Sequence, residues 1–273
     1  MKKLLFTFLF FVALKADAQH KLTQIWKSAD SIPVPESVYY AANEKLLYVS
    51  QIDGGGSVKD GKGAIGKLAL DGKSINLNWV TGLNAPKGIG VYKNTMYVAD
   101  LTEVVVIDMK AAKITKRIEV PETEFLNDVT VDDKGVVYVS DTRKRKVFRI
   151  VNNVPELYLN DVKSVNGLKA IGSDLYMLAG PELWKANAKK ELTKLAEGLE
   201  LGGDGLEPVK DGEFLVSCWG GLIYYVTTSG KVEKLLDTRT EKINTADIGY
   251  DPVKRIVYVP TFLKNSVLAF KLD

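Results

Sequence analysis

The chain has 273 residues, 46% of them hydrophobic and 26% charged, which suits a packed globular protein and excludes a largely disordered one. Its net charge of +3, with no basic block interleaved with aromatics, gives no sign of nucleic-acid binding. One histidine (His20) and one cysteine (Cys218) exclude an intrachain disulfide, a Cys/His zinc centre and any multi-histidine site, so a metal would have to be held mainly by oxygen.

At the N-terminus Lys2 and Lys3 precede an apolar run from Leu4 to Leu14, and Ala16-Asp17-Ala18 supplies a small-x-small cleavage pattern. Residues 1–18 are expected to be a secretion signal. The run is about half the ~20 residues that a bilayer span requires. The mature chain would then have 255 residues, a net charge of +1 and a periplasmic or secreted location, with no membrane span remaining.

From residue 19 onward one motif recurs six times: a short apolar strand opened by a polar residue, a turn, and a closing strand of the Tyr-Val-Ser type. The second residue of each closing strand falls at Tyr48, Tyr97, Tyr138, Tyr176, Leu215 and Tyr258, a mean period of 42. That matches a propeller blade of four strands at roughly 40–45 residues. Turn signals such as Asp132-Asp133-Lys134-Gly135 separate the strands, and no segment sustains an apolar period of 3.6. The last repeat supplies only three strands, ending at Ser266–Leu272, and Leu22–Trp26 is expected to complete it. The predicted fold is all-β: a single closed six-bladed propeller over 19–273.

The innermost strand of each blade lines the central channel. Its opening residues are read as Glu36, Lys87, Asn127, Asn166, Asp204 and Asp247, with formal charges summing to −2. Three carboxylates converging on a narrow channel repel, so either one is protonated or a cation sits among them. Carboxylate and amide oxygens suit a hard cation, calcium first, with magnesium, manganese or zinc as alternatives. Without a cation, the same groups would simply solvate a water-filled channel.

These segments resemble the senescence marker protein, gluconolactonase and regucalcin family of six-bladed propellers. The resemblance rests on Pro35-Glu36, Leu126-Asn127-Asp128-Val129, Asn166-Gly167-Leu168 and Asp204-Gly205. It implies one divalent cation held by Glu36, Asn166 and Asp204, with Asp204 also the general base and Asn127 contacting substrate or a metal-bound water. The implied activity is hydrolysis of a small-molecule sugar lactone or related ester. Phe125 stands where sugar-lactonase members often carry an arginine, and Lys87 has no assigned counterpart in the family. Lys87 is expected either to pair with Glu36 or Asp247, or to hold an anionic part of the substrate, with Lys87, Asn127 and Asp247 as the substrate-binding set. The repeats also resemble the looser NHL-type propellers, which mostly bind partners without a metal.

The other motifs have plainer readings. Gly56–Gly63 lacks the hydroxyl residue of a phosphate-binding loop and any surrounding β-α unit. Asp53–Gly63 joins two strands at the rim of the polar ring, either as a surface loop or as a cover over the channel mouth. Arg143-Lys144-Arg145-Lys146 reads as a solvated turn, Cys218 as a buried structural thiol, and Trp219 as either surface packing or part of the channel mouth.

Overall fold

The structure, a computed structural model, describes residues 19–273; the expected secretion signal lies outside the described residues. Strand β1 is Leu22–Lys27. Blade one contains β2 (Pro35–Ala41), β3 (Leu46–Gln51), β4 (Gly63–Ala69) and β5 (Ser74–Leu83). Blade two contains β6 (Pro86–Tyr92), β7 (Thr95–Asp100), β8 (Glu103–Asp108) and β9 (Lys113–Glu119). Blade three is β10 (Leu126–Val131), β11 (Val137–Asp141), β12 (Lys146–Val151) and β13 (Val154–Leu159). Blade four is β14 (Val165–Ile171), β15 (Asp174–Ala179), β16 (Glu182–Ala186) and β17 (Leu192–Glu197). Blade five is β18 (Leu206–Lys210), β19 (Glu213–Cys218), β20 (Leu222–Thr227) and β21 (Val232–Asp237). Blade six is β22 (Gly249–Asp251), β23 (Ile256–Pro260), β24 (Val267–Leu272) and, outermost, β1.

The ring therefore closes as expected. β1 runs antiparallel to β24, with Leu22 opposite Leu272 and Lys27 opposite Leu268, so the edge of β24 is paired rather than open. Among the described residues no helix is long and apolar enough to cross a membrane.

Each blade is a twisted antiparallel sheet that must bury both faces against its neighbours. Six apolar clusters do this, one at every junction. Tyr48, Ile65, Met96 and Val98 join blades one and two, and Val104, Leu126, Val139 and Phe148 join two and three. Leu47, Val49, Tyr258 and Ala269 hold blade six to blade one, so the seam where the chain ends meet is packed like the other five. A seventh small cluster, Ile52, Ala85 and Leu101 with Phe262 against it, lies beneath one rim.

The turns follow their local chemistry. At Asp132–Gly135 the Asp132 carboxylate accepts from the Lys134 and Val136 amides, while Gly135 takes φ +85.

The inner strands carry the feature that builds the site. Between Pro35 and Val38, two residues of β2 face one residue of β3; the same register shift recurs at the starts of β6, β10 and β14. Such bulges bend the strand and re-aim its side chains. In blades one and three a serine of the second strand stabilises the bulge, and in blade five one holds the segment that opens the inner strand. The Ser50, Ser140 and Ser217 hydroxyls accept from the amides of Ser37, Asp128 and Gly205. The closing Tyr-Val-Ser repeat thus has a mechanical role.

Candidate functional site

The segment opening each inner strand presents two residues in succession. The first residues, Glu36, Lys87, Asn127, Asn166 and Asp204, together line a cavity of about 260 Å³ at one rim. The second residues are Ser37, Gly88, Asp128, Gly167, Gly205 and Asp247, of which Ser37, Asp128 and Asp247 line a separate space deeper in the channel.

Asp247 therefore does not belong to the rim ring, and this corrects the sequence reading. In blade six the first position is Ala246, whose amide donates to Pro260 O. Asp247 is bridged to Ser37 and accepts from its hydroxyl at 2.5 Å. Aligning the repeats on the apolar residue that follows (Val38, Ile89, Val129, Leu168, Leu206, Ile248) would have placed it correctly. The glycines at second positions let neighbouring strands crowd the axis. A Cβ on Gly167 would lie 2.1 Å from Asp204 O, and one on Gly205 would lie 2.5 Å from the Ile248 amide.

The deeper layer is internally satisfied. Asp128 accepts from the Val129 and Leu168 amides, both at 2.6 Å, tying blade three to blade four. Lys169 donates to both oxygens of Glu207 at 2.8 and 2.9 Å. Burial pushes Asp128 up to about 6, against the pull of those two amides. Burial also raises Asp247 well above the usual carboxylate range, helped by the charges of Asp128 and Glu36.

The rim cavity differs. Asp204 Oδ1 accepts from the Asn166 amide nitrogen at 2.8 Å. Asn166 Oδ1 and Glu36 Oε2 are buried and have no hydrogen-bond partner among the described residues. Unsatisfied buried oxygens are costly and usually indicate a missing partner. Burial, reinforced by the Asp204 charge, raises Glu36 well above its ordinary value despite the opposing field of Lys87. Burial, with Asp128 adding to it, pushes Asp204 up to about 7, while Asn166 and Lys87 pull the other way.

Two ionisable oxygen donors and one amide oxygen thus converge, two of the three residues presenting an unpartnered atom. This donor set fits a hard cation. Among the described residues no group of three His, Cys, Asp or Glu is arranged to hold a metal, so a cation here would depend on the amide of Asn166.

Lys87 is 3% exposed. Its Nζ donates to Gly56 O at 3.1 Å and to Ala85 O at 3.2 Å, and lies 4.7 Å from the centre of the Phe125 ring. Among the described residues no carboxylate lies within 4.0 Å of this amine, so the expected ion pair with Glu36 or Asp247 is absent. Burial lowers its pKa, partly countered by Glu36, Asp100 and Asp204. Asn127 donates weakly to Thr142 Oγ1 at 3.3 Å and faces the same cavity.

Loops of the same rim form the walls. Gly56 and Ser57 belong to the β3–β4 connection, which is strapped down by Lys87, by Lys59 on Thr102 and by the Gly61 amide on Asn84. Of the two sequence readings for this loop, the structure favours a cover that forms part of the wall. Phe125 is held by Asp141, which accepts from Thr123 and from the Glu124 and Phe125 amides. Trp219 packs edge-on to Phe262 at 5.4 Å on the far side.

Arg143, read from its basic run as part of a solvated turn, is exposed on that turn and stands beside the cavity rather than in its lining. Its guanidinium lies 4.5 Å from the centre of the same Phe125 ring, and it donates to Ser57. Cys218 is buried, with its thiol pushed up to about 12 by that burial. His20 stacks on Tyr225 and bonds Glu233, lining a different pocket from the channel site.

No protein-family model matches the chain, and a search of curated proteins finds no relative. Solved structures share its architecture. A streptogramin B lyase superposes with a TM-score of 0.69 at 12% identity, covering 93% of this chain and 98% of that one. Virginiamycin B lyase from Staphylococcus aureus, captured with quinupristin as a catalytically inactive histidine-to-alanine variant, gives 0.63 at 12% over 93% and 100%. A gluconolactonase from Xanthomonas campestris gives 0.68 at 14% over 89% and 88%. At these identities the likeness establishes the fold, a six-bladed propeller that enzymes use; the activity has to be argued from the site.

Proposed function

We propose that this chain is a divalent-cation-dependent hydrolase of a small lactone or related ester, acting at the rim cavity after export. The observation that carries this reading is the pair of buried, unpartnered oxygens, Glu36 Oε2 and Asn166 Oδ1, beside Asp204 in a cavity of small-molecule size. Glu36, Asn166 and Asp204 would hold the cation, calcium being the first candidate. When bound, such an ion polarises a carbonyl oxygen and makes water more acidic.

The remaining steps fall to the chain itself. The Asn166 amide fixes one Asp204 oxygen by hydrogen bond, which orients the carboxylate. A carboxylate oriented in this way can take a proton from water and return it to a leaving group. Asp204 accepts the proton of a water attacking the acyl carbon. The acyl C–O bond then breaks, and the proton goes to the departing alkoxide. Asn127 supplies an amide to orient the ring oxygens, and Phe125 and Trp219 exclude water from the mouth. The lyase neighbours favour a different chemistry less well here: one of them is inactive without a histidine, and the only histidine of this chain lies away from the cavity.

The test is a screen of γ- and δ-lactones and aryl esters, with calcium, manganese or zinc and with chelator. Turnover that disappears with chelator and falls at least 100-fold in Asp204→Asn is expected, the scale of losing a general base. Cation-independent turnover, or full activity in Asp204→Asn, would overturn it.

A further inference from the structure

The wall formed by Phe125 has an unusual electrostatic construction. Lys87 Nζ and the Arg143 guanidinium lie 4.7 and 4.5 Å from the centre of one ring, so their charges are no more than about 9 Å apart. Like charges this close repel: burial lowers the Lys87 pKa most, the fields of Glu36, Asp100 and Asp204 raise it, and the Arg143 charge adds a smaller lowering. Proteins normally relieve such a pair with a carboxylate between its members. On the Arg143 side stands Glu124, half-exposed and shared between Arg143 at 3.4 Å and Lys144 at 3.2 Å; on the Lys87 side Glu36, Asp100 and Asp204 act from beyond 4.0 Å. Lys87 has no carboxylate within 4.0 Å among the described residues. An ammonium has three N–H donors, and the two backbone carbonyls occupy two of them. The third has no hydrogen-bond partner among the described residues, on a side chain that lines the cavity beside the Phe125 ring.

The aromatic between them adds to this. An aromatic face attracts both cations, and the ring edge carries partial positive charge. Lys87 and Arg143 also fasten the covering loop, through Gly56 O and Ser57 Oγ, so both are held in place before any ligand arrives. Lys87 and Phe125 line the same cavity as Glu36, Asn166 and Asp204, and Arg143 stands on the Phe125 ring beside it.

We propose that the Lys87–Phe125–Arg143 wall binds a carboxylate on the ligand, making this a site for small acidic molecules: under the hydrolase reading on which the proposal rests, a carboxylate-bearing lactone or ester. The anion completes the third donor of Lys87 and relieves the repulsion between the two cations. The scissile carbonyl then points toward the floor, where Asp204 stands. A cavity of about 260 Å³ suits a single ring carrying one such group.

Two ring ethers that cannot be hydrolysed, tetrahydrofuran-2-carboxylate and its carboxamide, separate this idea from catalysis. Calorimetric titration of the full chain should show the carboxylate binding about tenfold more tightly, the scale of one charge-assisted hydrogen bond in a partly desolvated site. Arg143→Gln should reduce the preference, and Lys87→Met combined with Arg143→Gln should abolish it. Arg143 is half-exposed on a turn, so its variant remains informative if Lys87→Met does not fold. Equal affinity of wild-type protein for the two probes overturns the proposal. So does a preference that survives in the double variant, because the carboxylate would then be going to a cation on the floor. An acid preference lost with these side chains, but with no turnover of any lactone, removes the hydrolase reading and leaves this one. Equal kcat/KM on acidic and neutral lactones does the reverse.

Discussion

The two layers of the central channel use the same kinds of residue in opposite ways. In the deeper layer Asp128 is satisfied by two backbone amides, Asp247 by the Ser37 hydroxyl, and Lys169 by Glu207. In the rim layer, one residue earlier on the same bulges, Glu36 and Asn166 each leave a buried oxygen without a partner, and Lys87 keeps a donor free. Charge buried for stability is paired within the chain, whereas charge positioned to meet a ligand is left incomplete. Substitutions in the two layers should therefore fail in different ways.

The largest effect is expected from Asp128→Ala. It strips two buried amides of their acceptor, that of Val129 in its own strand and that of Leu168 across a blade junction, and should destabilise the fold by about 3 kcal/mol. Chemical denaturation measures this, and a loss below about 1 kcal/mol would remove the division of labour drawn here. Glu36→Gln should do the converse. Divalent binding falls about 100-fold by calorimetry, an effect on the scale of perturbing a metal centre. The melting temperature of the chelated protein at pH 8 should be unchanged or higher, because a desolvated carboxylate has been removed. If Glu36→Gln binds calcium and zinc as the parent does, the cation is not held at this floor.

The third effect concerns pH. Asp204 and Asp128 are pushed up to about 7 and about 6, above the ~3.9 of an unfolded aspartate. A folded state that binds protons more tightly than the unfolded one loses stability as pH rises. The contribution is fully present below about pH 4 and disappears as pH climbs through 6 to 7. Chelated protein should therefore melt at progressively lower temperature from pH 5 to pH 8. Calcium should flatten that slope and release protons on binding, visible as buffer-dependent heats. A flat profile with chelator would mean that the carboxylates are already ionised and satisfied.

Blade number, ring closure and the identity of five rim residues were legible in the chain itself. A period of 42, three strands in the last repeat and a spare strand near residue 22 leave few alternatives, because a sheet edge must be paired and an apolar face must be covered. The polar residue opening each inner strand was visible as a break in an otherwise apolar pattern. Three other features depend on distant partners. Asp247 differs from Asp204 by one position in the segment that opens its inner strand, and its bridge to Ser37 of blade one decides which space it faces. Arg143 becomes a wall residue only because its turn folds over Phe125 at the same rim. Among the described residues Lys87 has no carboxylate within 4.0 Å, and the covering loop brings Gly56 O to its amine instead. Periodicity is local and repeats along the chain. The direction of a side chain, and whether its charge finds a partner, are set by contacts between blades that are far apart in sequence.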